Sequence, residues 1–119
     1  MVALREFEPL RQRIEATAIG FAPDSSALEE TQLRPVAAAI RQLVEITATA
    51  GSRFTVSIAG SADPTGARDR NERLARQRAA AVAEALVRLG VDRNLLEPKA
   101  MEGSSREVRF TIRTTGAAK

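Results

Sequence analysis

The run Arg53-Phe-Thr-Val-Ser-Ile-Ala-Gly60 sets Phe54, Val56 and Ile58 against Thr55, Ser57 and Ala59 in strict alternation, which is a strand with one apolar face. Soon after it the period changes. Ala75, Ala79, Val82, Leu86 and Leu89 recur at helical spacing and form the buried stripe of a long amphipathic helix. Between the two, Asp63 precedes Pro64, whose ring steers the acid away from helical angles. The chain then turns through Pro64-Thr65-Gly66, and the helix is expected to start near Arg68 to Asn71. Gly90 followed by Val91 suits a left-handed stop with an apolar contact behind it. A strand that feeds such a helix buries both apolar faces only when the helix lies back across the sheet.

The remaining segments extend this pattern. Residues 1–11 form a charged lead-in with Pro9, expected to be loosely ordered or the remnant of a linker. Arg13 to Phe21 reads as a first strand, broken by Ala22-Pro23-Asp24-Ser25. Ser26 and Glu29 have the spacing of a capping box that opens a helix. Leu33, Val36, Ala37, Ile40, Leu43 and Val44 then recur on one face. Pro35 must lie in or before that helix's first turn, because it lacks a donor amide. Leu95 to Met101 reads as a third strand, with Pro98 marking an edge. Gly103-Ser104 is expected to close a tight hairpin into a last strand in which Val108, Phe110 and Ile112 alternate.

The order β-α-β-α-β-β, with right-handed crossovers, places both helices on one face of a mixed four-stranded sheet. The expected fold class is therefore α+β, a two-layer α/β sandwich. The domain is expected to span 12–114, with the lead-in before it and a disordered tail at 115–119.

A chain of 119 residues is one domain with a core of its own. It contains no Cys, His, Trp or Tyr, which removes disulfides, thiolate nucleophiles, imidazole chemistry and the commonest transition-metal sites. Only Lys99 and Lys119 offer amines, and no Ser-x-x-Lys occurs. The reading is a non-enzyme without a cofactor. Arg68, Arg70, Arg73, Arg76 and Arg78 crowd one stretch, but Asp63, Asp69 and Glu72 interleave with them and none of the four Phe lies there. That is a solvated, salt-bridged helix face, and nucleic acid is not expected as a partner. No apolar run is long enough to span a bilayer, so any membrane attachment would come from segments absent from this chain. The N-terminus lacks the basic-then-apolar order of a secretory signal. The expectation is a cytoplasmic protein if the chain is complete, and otherwise a piece of a longer envelope protein.

The positions Gly60-Ser61-Ala62-Asp63, Gly66, Asn71, Leu74, Ala75, Arg78, Ala79, Val82, Leu86, Gly90 and Val91 resemble, in order, the OmpA-like domain. That domain is the peptidoglycan-associating module of outer-membrane protein A, Pal lipoproteins and flagellar motor stators. Its run is Gly-His-Thr-Asp, a glycine, then Asn-x-x-Leu-Ser-x-x-Arg-Ala-x-x-Val-x-x-x-Leu, closing in Gly-Val. The stretch Ile19 to Leu28 is similar to the family's Phe-x-x-x-Ser-x-x-Leu opening. The resemblance covers roughly 13–113.

It implies a module that binds the diaminopimelate of peptidoglycan stem peptides, with Asp63 taking the ammonium and Arg78 the carboxylate. Asn71 matches a position that lines or braces that site; Thr65, the Asp24-Ser25 turn and Arg106 are further candidates. Residue by residue, simpler readings stand beside this one. Asp63 suits a turn-capping acid, Arg78 a surface arginine with a snorkelled stem, and the two together a bracing ion pair. The departures are Ser61-Ala62 for His-Thr, Ala75 for Ser, and Glu107 where the terminal motif Asn-Arg-Arg-Val carries its second Arg. Glu107 is expected to repel a ligand carboxylate or compete for Arg78, and a shortened loop before Arg106 to lower one wall of the groove.

Overall fold

A computed structural model describes residues 2–23, 25–62, 67–101 and 106–115. Four strands form one sheet in the order β1-β4-β2-β3: β1 Ala18–Gly20, β2 Arg53–Gly60, β3 Leu96–Ala100 and β4 Glu107–Thr115. β2 runs parallel to β3, and β4 runs antiparallel to both β1 and β2. The sheet is thus mixed and the fold α+β, as the alternation of periods implies.

Three helices pack on it: α1 Val2–Glu15, α2 Arg34–Ala50 and α3 Arg68–Arg88. They bury residues in a single core with Phe54, Val56 and Ile58 of β2 and Val108, Phe110 and Ile112 of β4. β2 has the bounds its alternation predicts. α3 begins where its acid-and-arginine run begins, and Ala75, Ala79, Val82 and Leu86 are buried. Gly90 takes a left-handed φ of 100° and the amide of Val91 returns to the Leu86 carbonyl at 3.0 Å, which closes the helix in the expected way.

Five expectations are corrected. The lead-in is helical: Phe7, Leu10 and Ile14 lie at helical spacing, Leu10 and Ile14 are buried, and Phe7 packs against the core. This apolar stripe outweighs the breaker Pro9, which sits inside α1. The first strand is consequently short, because 13–15 belong to α1.

The Ser26/Glu29 pair does not cap a helix. A 3-10 turn, Glu30–Leu33, intervenes, and α2 starts at Arg34 with Pro35 in its first turn and no side-chain cap. Ser25 Oγ instead accepts the Ala27 amide at 3.0 Å. Val44 is 39% exposed, so α2's stripe continues through Ile46 and Thr47. Finally, β3 and β4 are not a hairpin, since β2 lies between them. The residues 102–105 of that connection lie outside the described residues, as do 116–119 of the expected tail.

Candidate functional site

The matched motif gathers where β2 ends against α3. Gly60 closes β2 directly beneath the helix. A Cβ there would stand 2.1 Å from the Ala75 carbonyl oxygen and 3.1 Å from the Ala79 amide. Only glycine lets strand and helix approach this closely. Just beyond it, the Ser61 amide and hydroxyl both donate to the Glu107 carbonyl, at 3.0 and 3.2 Å.

Against this strand end lies Arg78, with no exposed surface. Its Nε donates to the Ser25 carbonyl at 2.8 Å, Nη1 to the Ser61 carbonyl at 2.9 Å and Nη2 to the Ala22 carbonyl at 3.0 Å. The guanidinium carbon stands 5.3 Å from the Phe21 ring centroid, within the range of a cation–π contact. A buried guanidinium is tolerable only when its donors are met, and the planar fork of arginine can bridge carbonyls from two separate segments. Arg78 therefore ties α3 to the end of β2 and to the loop after β1. It is not the surface arginine with a snorkelled stem that its charged neighbourhood suggested.

The structure draws two further candidates toward this end. Asn71 is half-buried in the first turn of α3, its amide on the Ala67 carbonyl at 3.1 Å. Seven residues before Arg78, it shares that residue's helix face. The Arg106 carbonyl accepts the Phe21 amide at 2.8 Å, which sets the exposed Arg106 beside the loop that Arg78 grips. Asp63 and Thr65 lie outside the described residues, as does Asp24. Glu107 directs its carboxylate to Arg109 Nη1 at 3.6 Å. Sequence reasoning missed that Arg78 donates to main-chain carbonyls of Ala22, Ser25 and Ser61. No side-chain pattern encodes a carbonyl acceptor.

The rest of the arginine-rich stretch is the solvated face expected of it: Arg68, Arg70, Arg73 and Arg76 are exposed, and Arg76 pairs with Glu72 at 3.0 Å. Farther along α3, Glu84 meets Arg93 at 2.7 Å. The hydrogen bond from Arg93 holds the Glu84 carboxyl below its ordinary pKa. Among the described residues no group of three or more metal-ligating acids occurs. No helix there is long and apolar enough to cross a membrane.

The family model for the OmpA family matches residues 20–118. The chain belongs to the OmpA family. Solved structures agree with the OmpA-like fold. The peptidoglycan-associated lipoprotein of Burkholderia pseudomallei is 20% identical, with a TM-score of 0.67 over 81% of this chain and 89% of that one. The periplasmic domain of Helicobacter pylori MotB (residues 90–256) is 20% identical, with a TM-score of 0.66 over 82% and 69%. An outer membrane protein of Borrelia burgdorferi is 22% identical, with a TM-score of 0.61 over 82% and 85%. A search of curated proteins returned no match.

Proposed function

We propose that this OmpA-family domain is a non-catalytic cell-wall module that recognises the diaminopimelate of peptidoglycan stem peptides. In doing so it tethers a larger envelope protein on the periplasmic side, where other envelope proteins are its further partners. The observation that carries the reading is Arg78, held in one orientation at the end of β2 by the loops bearing Ala22, Ser25 and Ser61. This is the arginine of the family motif. The similarity to a peptidoglycan-associated lipoprotein supports the ligand class.

In this reading Asp63 takes the ligand ammonium and Arg78 its carboxylate, with Asn71, Thr65 and Arg106 around them. Arginine offers paired planar donors to a carboxylate. Two or three charge-assisted bonds of ~1.5–3 kcal/mol each reach micromolar recognition after ordering costs. Because Arg78 is sealed from solvent, the ligand engages it as the loop carrying Ala22 and Ser25 moves aside. The Nη1 bond to Ser61 remains when that loop moves, and the bonds to Ala22 and Ser25 are exchanged for those to the ligand.

The test is co-sedimentation with purified diaminopimelate-type sacculi. Asp63→Ala should weaken retention by about tenfold or more, the loss expected of one charge-assisted contact, at an unchanged melting temperature. Equal retention of the wild type and this variant removes the proposal.

A second reading has its own observation. Three carbonyl bonds and complete burial also describe a brace, and a domain that kept the brace and lost the ligand would serve as an interaction or assembly module. It requires that free diaminopimelate leave the amide spectrum unchanged around Ser61, Asn71 and Arg78.

A further inference from the structure

The helices cover only one face of the sheet. On the other, the odd-numbered residues of β2, β3 and β4 form rows whose register is given by the strand pairing. Thr111, Ser57 and Glu97 make one row, and Arg109, Ala59 and Lys99 the next. Thr111, Arg109, Lys99 and Glu97 are exposed, whereas Ser57 is 3% exposed and Ala59 8%. The two small residues of the central strand therefore lie at the bottom of a trough. Its walls are the longer side chains of β3 and β4, whose strands flank β2 at a separation of roughly 10 Å.

The Ser57 hydroxyl is buried at the floor of this trough and has no hydrogen-bond partner among the described residues. Buried hydroxyls are nearly always paired, so this group is a donor and acceptor waiting for one. The charge around it has one dominant sign. Arg53, Lys99, Arg109 and Arg113 project from this face against Glu97 and Glu107. Of the four cations only Arg109 forms an ion pair among the described residues, with Glu107 at 3.6 Å. No aromatic side chain stands on the face, so it has nothing on which a base or sugar ring could stack.

We propose that this trough is an oxyanion site, in which Ser57 and Thr111 donate hydroxyl hydrogen bonds to a phosphate-type group and Lys99 and Arg109 neutralise it from either side. The long side chains of the walls are flexible at their ends and swing outward to admit the group. The site is separate from the end of β2 where Arg78 sits, and does not depend on the cell-wall reading. Its ligand is a phosphoryl oxyanion, either free in solution or presented by a lipid headgroup.

The test is an amide-resolved titration of the isotope-labelled chain with inorganic phosphate, against chloride at equal ionic strength. Saturable shifts are expected at Ser57, Ala59, Lys99 and Thr111. Affinity should fall about tenfold in the Lys99→Ala/Arg109→Ala double variant, as two charge-assisted contacts are lost. Ser57→Ala should melt no lower than the wild type and still bind phosphate about tenfold more weakly, the loss of one hydrogen bond to a charged acceptor.

Co-sedimentation with phosphatidylglycerol vesicles, with phosphatidylcholine as reference, separates the two sources. Retention on the anionic vesicles alone assigns the group to a headgroup, and a phosphate response without retention assigns it to a free anion. The proposal is overturned if chloride reproduces the shifts. It is equally overturned if the shifts fall only on Ser61, Asn71 and Arg78, or if the variants titrate like the wild type.

Discussion

Arg78 donates to three main-chain carbonyls, those of Ser25, Ser61 and Ala22. Truncating it would remove a fully buried side chain and take this donor from the Ser25 and Ser61 carbonyls, while the Ala22 carbonyl keeps the Ser25 amide at 3.2 Å. Arg78→Ala is therefore expected to lower unfolding free energy by about 3–5 kcal/mol, from lost packing and unpaired carbonyls together. Arg78→Lys should recover little of it, since a point-like ammonium cannot span three carbonyls; the urea midpoint of each variant reads this directly. Gly60 carries a different constraint, one of space. The obstacle to a Cβ at Gly60 is the backbone of α3, which cannot swing away as a side-chain end would. Gly60→Ala should cost about 3 kcal/mol, at the upper end of overpacking substitutions, with chemical-shift changes concentrated in the turn around Ala75.

Among the secondary elements, α1 and β4 share the core and are also joined by a polar contact. β1 pairs only with Glu107 to Arg109 of β4, so the outer edge of β4 runs on past its neighbour. There the Glu15 carboxylate accepts the Ile112 amide at 2.8 Å and Arg11 stands 3.5 Å from Glu15. An edge strand left bare is a template for unwanted pairing, and the end of α1 covers part of this one. Glu15→Ala should speed hydrogen exchange at Ile112 and lower stability by about 1 kcal/mol; unchanged protection at that amide would refute the role.

The Glu84–Arg93 pair fastens α3 to the 3-10 turn Arg93–Leu95. Because the folded Glu84 pKa lies below its unfolded value, the pair's stabilisation is complete above about pH 4.3 and is lost as pH falls through the folded value. A carboxyl-detected titration should place the Glu84 midpoint below the ordinary glutamate value, and Arg93→Ala should return it to that value.

For the molecule as a whole, one core joins all three helices to one face of the sheet, while the opposite face is left polar and basic. Leu10 and Ile14 belong to that core, so α1 is part of the folded unit. Replacing both by Ala should cost about 4 kcal/mol or more, two buried aliphatic truncations, and should do so in a single cooperative transition. A separate early transition for α1 would show that it docks independently.

Periodicity carried the sheet and two helices. The alternation in β2, the stripe of α3, the prolines at positions 35 and 98 and the stop at Gly90 all act through local sterics or through which face is apolar, and such effects are written in neighbouring residues. The local rules failed where distant chain decided. Pro9 is tolerated because Leu10 and Ile14 gain a core to enter, Ser26 goes unused because a 3-10 turn delivers the chain to α2, and β4 inserts beside β2 because pairing partners are chosen across the whole sheet.

The same division holds at the functional end. The order of motif residues was visible along the chain, as was the place of Arg78 in it. That Arg78 is buried, and that it grips carbonyls of Ala22, Ser25 and Ser61, was decided only in three dimensions. Main-chain acceptors have no residue identity, and a guanidinium becomes buried only when folding supplies the partners that offset its lost hydration.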